Sequence, residues 1–146
     1  MRVLALDYGT RRIGIAVSDP DQRIATPETP LTRRGLERDL AALRALVAER
    51  EIGHMVVGYP IHMSGRVGPE AEAVRAFANR LAEDTGLPVD LLDERWTTLE
   101  ARRALRESGR RGARQREVVD SVAAALLLRA FLERRRALAA REAEDR

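Results

Sequence analysis

The sequence predicts an α/β fold in which a mixed five-stranded sheet is flanked by helices. Three short apolar runs separated by turn residues open the chain, which is typical of an antiparallel meander. Helical and strand patterns then alternate, which is typical of parallel strands joined by helical crossovers. The chain has 146 residues and neither a repeat nor a long linker, so we expect one domain.

The five strands are expected where apolar runs are bounded by turn residues. Their predicted ranges are 3–6, 13–17, about 23–25, 55–58 and 89–92. In the second strand the large apolar residues alternate with the small Gly14 and Ala16, so one face is bulky and the other is small. Pro27 and Pro30 are expected to break regular structure after the third strand.

The four helices are expected where apolar residues recur at helical spacing, over about 33–50, 69–85, 97–109 and 118–136. Pro69 suits the first position of the second helix. Thr97 and Glu100 form a capping-box pattern, and Gly109 ends the third helix. The domain is therefore predicted over 1–136, and the segment 137–146 is expected to fray because it holds little except Ala, Arg and acids.

Two predicted strands end on acidic residues. Asp7 ends the first strand, and Asp93 and Glu94 end the last. Ligands of open sheets with helical crossovers bind at the carboxyl ends of the strands, so parallel neighbours would bring these acids to one edge. The alternative is that they are ordinary surface acids, and strand geometry alone leaves both Asp93 and Glu94 open as the functional residue.

Asp120 is the third acid of interest. It shares a helical stripe with small and apolar residues at positions 123, 124, 127 and 131, which is the side expected to pack on the sheet. An acid near a helix N-terminus is also stabilised by the helix dipole. The dipole does not explain why the acid lies on the inward stripe.

Three converging carboxylates would require a cation. Two like charges about 4 Å apart repel by roughly 4 kcal/mol at an effective dielectric constant near 20. Oxygen ligands without cysteine suit Mg²⁺ or Mn²⁺, and one or two such ions on an acidic cluster suit phosphodiester hydrolysis. Asp7, Glu94 and Asp120 are therefore the candidate metal-binding and catalytic residues.

Basic residues near these acids predict a nucleic-acid partner. Segment 102–116 holds seven arginines and one acid, and its loop over 109–114 leads into the Asp120 helix. The candidate nucleic-acid contacts are Arg11, Arg12, Arg95, Arg110, Arg111 and Arg114. The alternative is a solvated charged loop. His62, in the loop after the fourth strand, is a candidate substrate contact or a solvated histidine.

The overall composition restricts the cellular setting. There are no cysteines, which fits a reducing compartment. No long apolar segment is present, so neither a signal peptide nor a membrane association is expected, and the cytoplasm is the expected location. The net charge of +3 only mildly favours a polyanionic partner.

Four motifs together resemble the YqgF family. They read "LALDYGTRRIGIAVSD", "VVGYPIHMSG", "LLDERWTTLEAR" and "VVDSVAAALLL", in the family's order and spacing. The resemblance implies a ribonuclease H-like fold and a metal-dependent nuclease of the bacterial cytoplasm. It places the family's acidic residues on Asp7, Glu94 and Asp120, and it favours Glu94 over Asp93.

The chain departs from the family pattern in two places. The loop from Tyr59 to Gly65 differs from the usual Leu-Pro-Leu-Asn-Met-Asp-Gly, and the basic residue that usually stands shortly before Asp120 is absent. The acids are retained, so these departures concern the choice of substrate rather than the cleavage chemistry.

The function expected is an endonuclease acting on structured nucleic acid. Family members are described as pre-16S rRNA nucleases or as Holliday junction resolvases, and we expect processing of the 5′ end of pre-16S rRNA. Resolution of branched DNA is the alternative, and it would need two active sites and hence a homodimer. A non-catalytic nucleic-acid binder is a further alternative. An actin-like ATPase is disfavoured, because the chain is too short and lacks a second glycine-rich phosphate hairpin.

Overall fold

A computed structural model describes the backbone of residues 1–60, 64–93 and 113–146, with the side chains of the last range described from 121 onward. The strands are β1 Arg2–Tyr8, β2 Arg12–Ser18, β3 Ala25–Thr32, β4 Ile52–Tyr59 and β5 Val89–Asp93. The helices are α1 Leu36–Glu49, α2 Pro69–Thr85 and α3 Ala113–Glu144.

The sheet is mixed, as predicted. Its strand order is β3-β2-β1-β4-β5. The first three strands pair antiparallel, whereas β4 runs parallel to β1 and β5 runs parallel to β4. The C-terminal residues of β1, β4 and β5, namely Tyr8, Tyr59 and Asp93, therefore lie at one edge of the sheet, which we call the carboxyl edge.

Helices cover both faces of the sheet. Leu4, Leu6 and Val57 belong to a core cluster that includes residues of α1 and α2. Val3, Ala5 and the other strand residues of a second cluster pack with residues of α3. Side chains alternate along a strand, so each strand of the parallel part contributes to both cores.

The third strand differs most from the sequence prediction. The sequence placed it near 23–25 with a break at Pro27 and Pro30, but β3 spans Ala25–Thr32. It is an edge strand, where the nitrogen of proline can face outward without loss of a ladder hydrogen bond. A register shift sets two residues of β3 against Gly14. Because of this bulge, the nitrogens of Pro27 and Pro30, three positions apart, can both face away from β2.

The ends of α1 and α2 agree with the sequence within a few residues. Pro69 begins α2, and Gly86 follows it in the left-handed conformation with φ of 70°, which glycine adopts at little cost. Two ion pairs join these helices: the pair between Arg44 and Asp84, at 2.6 Å, and the pair between Arg80 and Glu37, at 2.8 Å.

The last helix is longer at both ends than the predicted 118–136. It begins at Ala113 and continues to Glu144, so the backbone of segment 137–144 is helical where fraying was expected. Alanine, arginine and glutamate have high helix propensities, and no proline or glycine interrupts the segment. No helix among the described residues is long and apolar enough to cross a membrane. The predicted helix over 97–109 lies outside the described residues.

Candidate active site

Asp7 lies one residue before the C-terminal end of β1, on the face of the sheet covered by α3. Alternation places it on the same face as Val3 and Ala5, which pack with α3. On β2 its partner is Gly14. The pairing of β1 with β4 reaches the residue before Asp7, so Gly58 is the next residue on β4 at its level. Glycines therefore flank Asp7 on both neighbouring strands.

A tight turn from Gly9 to Arg12 follows Asp7 and its neighbour Tyr8. The Gly9 amide donates to the Arg12 carbonyl at 2.9 Å. A Cβ atom at Gly9 would lie 2.6 Å from that same carbonyl oxygen, which is closer than van der Waals contact allows. The close approach of two backbone segments therefore requires glycine at the second position after Asp7.

Arg33, which follows β3, donates hydrogen bonds to the carbonyls of this turn. Its guanidinium donates to the carbonyls of Gly9 at 2.9 Å and Thr10 at 3.3 Å, and its backbone amide donates to the carbonyl of Arg11 at 2.9 Å. It also donates to the hydroxyl of Tyr8 at 2.6 Å. The residue after β3 thus fixes three consecutive carbonyls beside Asp7. Sequence reasoning missed it, because the contact spans more than twenty positions and Arg33 lies in no motif.

The end of β5 lies at the same edge, two strands from Asp7. Leu92 pairs with Gly58, so Leu92 lies at the level of Asp7. Neighbouring strands are about 4.8 Å apart, which puts about 10 Å between the two Cα atoms. Leu92 belongs to the core under α3, so alternation assigns Asp93 to the opposite face. Glu94 lies outside the described residues.

The backbone of Asp120 lies in α3 near the level of Asp7. The hydroxyl of the next residue, Ser121, donates to the carbonyl of Glu28 on β3. Glu28 pairs with Ile15 of β2, and Ile15 pairs with Leu6 of β1, so Glu28 is level with the residue before Asp7. The rest of the predicted stripe is buried, with Ala123 6%, Ala124 0%, Leu127 3% and Phe131 7% exposed. The side chain of Asp120 lies outside the described part.

Of the three candidate metal ligands, Asp7 is the one whose side chain the structure describes. Asp7 offers carboxylate oxygens in a row whose neighbours on both adjacent strands lack side chains, and hard cations prefer oxygen ligands. Within the described residues, no three acidic or histidine side chains group closely enough to hold a metal. Convergence of Asp7, Glu94 and Asp120 therefore remains a prediction.

The predicted nucleic-acid contacts are only partly described. Arg11 is exposed and Arg12 is half-buried, and both lie on the turn beside Asp7. Arg114 belongs to the first turn of α3 rather than to a loop, which corrects the predicted extent of the basic loop. Arg95, Arg110, Arg111 and His62 lie outside the described residues.

His54, the other histidine, lies near the start of β4 and away from the carboxyl edge. Its Nε2 atom is 2.7 Å from the Asp90 carboxylate, and its ring is 5.5 Å from that of Phe131 in α3. His54 is therefore part of the packing at the opposite edge, and it lies too far along β4 to act on a substrate at Asp7.

Comparison with known proteins agrees with this fold. The model of the RuvX family, described as Holliday junction resolvase, matches residues 1–134. The chain belongs to this family. The match includes all three candidate acids and ends before the exposed last turns of α3.

Curated relatives of this family member match over nearly their whole lengths. A protein of Moorella thermoacetica is 48% identical over 134 residues, which are 92% of this chain and 96% of that protein. A protein of Myxococcus xanthus is 46% identical over 136 residues, or 93% and 90% of the two chains. Both carry the name "Putative pre-16S rRNA nuclease".

Solved structures show the same fold in resolvases. RuvC of Thermus thermophilus, in complex with a Holliday junction substrate, superposes with a TM-score of 0.59 at 18% identity, over 92% of this chain and 95% of that one. The fowlpox virus Holliday junction resolvase gives 0.53 at 11% identity, over 91% and 99%. At these identities the likeness establishes the ribonuclease H-like resolvase fold.

Proposed function

We propose that this protein is a metal-dependent endonuclease that hydrolyses phosphodiester bonds in structured nucleic acid. The observation that carries the proposal is the placement of Asp7. Its carboxylate stands at the carboxyl edge, between glycines on both neighbouring strands. A carboxylate at the end of a strand, flanked by residues without side chains on both neighbouring strands, suits a bound cation. Membership of a resolvase family supports the same chemistry.

Asp7, Glu94 and Asp120 are proposed to hold one or two Mg²⁺ or Mn²⁺ ions. Such ions supply an activated water and stabilise the leaving oxygen of the cleaved phosphodiester. The role of the carboxylates is to fix the cations at the carboxyl edge. The strand β1 and the helix α3 are rigid elements that position Asp7 and the backbone of Asp120.

The arginines beside the acids are proposed to bind substrate phosphates. Arg11 and Arg12 lie on a turn fixed by Gly9 and Arg33, so little conformational entropy is lost when they bind. Arg95, Arg110, Arg111 and Arg114 are proposed to extend this contact. Contacts to phosphate set position and affinity and carry no base specificity.

The physiological substrate proposed is precursor 16S rRNA, cut near its 5′ end in the bacterial cytoplasm. The names of the curated relatives favour this substrate. Branched DNA is the second candidate, which the description of the family model favours. A symmetric cut of a four-way junction requires two active sites, so this second activity would require a homodimer.

A cleavage assay tests the proposal. The wild-type protein and Asp7→Asn are each incubated with a transcript spanning the 5′ end of pre-16S rRNA and with a synthetic four-way DNA junction, in Mg²⁺, Mn²⁺ or EDTA. We expect the transcript to be cut by the wild type in either metal. Cleavage should be lost in EDTA and in Asp7→Asn, because the variant keeps the shape of the side chain and loses its negative charge.

The control is Asp145→Asn, which removes an exposed carboxylate near the end of α3 and should cleave like the wild type. Cleavage that persists in EDTA or in Asp7→Asn would contradict the metal-nuclease mechanism. Binding of both substrates without cleavage in either metal would favour a non-catalytic binder. Cleavage of the junction alone would move the assignment to branched DNA.

A further inference from the structure

Two tyrosines lie side by side at the carboxyl edge, on the face covered by α1 and α2. Tyr8 ends β1 and Tyr59 ends β4. The two strands are in register two residues earlier, at Leu6 and Val57, so the tyrosines are level on adjacent strands about 4.8 Å apart. Phe77 of α2 stacks on Tyr8, with ring centroids 4.2 Å apart and an angle of 4°.

Each tyrosine holds an exposed arginine. The guanidinium carbon of Arg33 lies 4.3 Å from the ring centroid of Tyr8, and that of Arg75 lies 5.2 Å from the ring centroid of Tyr59. Each guanidinium also donates to its tyrosine hydroxyl, at 2.6 Å from Arg33 and 3.1 Å from Arg75. The ring face and the hydroxyl together orient both cations at the edge.

The charge of these two arginines is not neutralised by a carboxylate within the described residues. Arg44 and Arg80, on α1 and α2, bond instead to Asp84 and Glu37. A phenol hydroxyl is neutral, so it orients a guanidinium without neutralising it. Two cations that form no ion pair within the described residues, next to the proposed cleavage site, favour the binding of an anion.

The unused hydrogen-bond donors point to phosphate. Arg75 donates one N–H to Tyr59, and an arginine carries five such donors in a fixed fork that matches phosphate oxygens. Phe77 and Arg33 both lie against the Tyr8 ring, which leaves no ring face for a base. The surface is therefore suited to the sugar–phosphate backbone rather than to base stacking.

We propose that Arg33 and Arg75, held by Tyr8 and Tyr59, form a phosphate-binding ledge for the nucleic-acid substrate. The ledge lies across the sheet from α3, so it would hold the backbone on the side of the carboxyl edge opposite the Asp7 carboxylate. This inference rests on the proposed function, and it adds a second contact region, carried by α2 and by the segment before α1.

Substitution of Arg75 tests the ledge with a matched control. Arg33 is unsuitable because it also fixes the turn beside Asp7. Arg75→Gln is compared with Arg80→Gln, five residues further along α2, where the arginine is already paired with Glu37. Binding of a labelled four-way DNA junction and a labelled single-stranded RNA is measured in EDTA at several salt concentrations.

We expect Arg75→Gln to weaken binding and to reduce the slope of log K against log salt concentration. The reduction should be about 0.9 for duplex arms and about 0.7 for a single strand, the values for one lost phosphate contact. Arg80→Gln should keep the wild-type slope. Arg75→Lys keeps the charge and should restore the slope, although its affinity stays lower because lysine lacks the fork.

The outcomes separate the ledge from the nuclease proposal. Equal slopes for Arg75→Gln and Arg80→Gln, with normal wild-type binding, would overturn the ledge and leave the nuclease proposal standing. If the wild type bound neither the DNA junction nor the RNA, both the ledge and the nuclease proposal would be overturned. Circular dichroism of each variant confirms that it is folded, which is expected because Arg75 is exposed and Arg80 is half-buried on α2.

Discussion

At the scale of single residues, the candidate site consists of the Asp7 carboxylate and of three glycines around it. Gly14 and Gly58 flank Asp7 on the neighbouring strands, and Gly9 follows it after one residue. The first two place no side chain beside Asp7 on the neighbouring strands, and Gly9 permits the close contact with the Arg12 carbonyl.

Gly9→Ala should damage both the fold and the cleavage activity. A methyl group 2.6 Å from the Arg12 carbonyl oxygen forces the turn open, because that oxygen belongs to the backbone. Overpacking of this kind costs about 1–3 kcal/mol of unfolding free energy. Chemical denaturation and the rate of transcript cleavage should both show the loss.

Gly53→Ala is the control for that substitution. A Cβ atom there would also meet another atom at 2.6 Å, but that atom is the sulfur of the flexible, exposed Met1 side chain. We expect a small change in stability and normal cleavage. Equal damage by both substitutions would mean that the Gly9 turn has no special role.

The sequence predicted features that depend on local patterns and missed those that depend on folding. Asp7 is a candidate because it ends an apolar run, and helical spacing predicted the stripe after Asp120, whose residues 123, 124, 127 and 131 are buried. Arg33 was missed because its partners Tyr8 and Gly9 come from a distant part of the chain. No periodicity reports a contact between a strand end and a turn that adjoin only in the folded sheet.

At the scale of elements, the edge strand shows why a propensity argument can fail. Prolines disfavour a central strand, and the sequence prediction treated Pro27 and Pro30 as breaks. The sheet order places β3 at the edge, and the bulge opposite Gly14 keeps it paired with β2. Strand order is a tertiary property, so it could not be read from the segment itself.

The turn that leads into β3 is stabilised by Asp19 in a pH-dependent way. Its carboxylate accepts the backbone amides of Ile24 at 2.7 Å and Arg23 at 2.8 Å. These bonds hold the pKa of Asp19 below its usual value of 3.8, and the bond from Ile24 has the largest effect. Because the folded pKa is the lower one, the stabilisation is present above the unfolded pKa and is lost as pH falls through the folded pKa.

We therefore expect Asp19→Ala to lower the melting temperature at pH 7 and to have less effect in acid. The difference from the wild type should narrow as the pH falls below 3.8, because Asp19 is protonated there in the unfolded chain and only at lower pH in the folded protein. Thermal unfolding followed by circular dichroism at several pH values measures this. A constant difference for Asp19→Ala across these pH values would contradict the role of the charge.

The last turns of α3 are expected to contribute little to the fold. Residues from 136 onward are exposed, including Leu138 at 52%, and the family model ends at 134. Removal of residues 137–146 should change the unfolding free energy by no more than about 0.5 kcal/mol, which is typical of surface changes. Denaturant titration of the shortened chain checks this. A loss of several kcal/mol would show that these turns have a packing partner.

At the scale of the whole molecule, the two halves of the sheet have different tasks. The antiparallel half, β3-β2-β1, carries the turn and the glycine that shape the Asp7 site. The parallel half, β1-β4-β5, brings distant strand ends to one edge. The sequence predicted this division, because meander and crossover patterns are local. The proposed meeting of Asp7 with Glu94 depends on residues beyond the end of β5 and stays a prediction.

The oligomeric state decides which substrate one molecule can process completely. Cleavage of a transcript needs one active site, whereas a symmetric cut of a four-way junction needs two. The proposed function on precursor 16S rRNA therefore predicts an active monomer, which light scattering after size-exclusion chromatography would measure.

A monomer has one active site, and this has a consequence for the products. The initial rate of transcript cleavage should rise linearly with protein concentration. On a plasmid that extrudes a cruciform, separate cuts should give nicked circles first, whereas a dimer that cuts both strands within one encounter would give linear plasmid directly. Linear plasmid as the first product, with a rate that rises as the square of protein concentration, would contradict the monomer. It would move the physiological substrate from precursor rRNA to branched DNA.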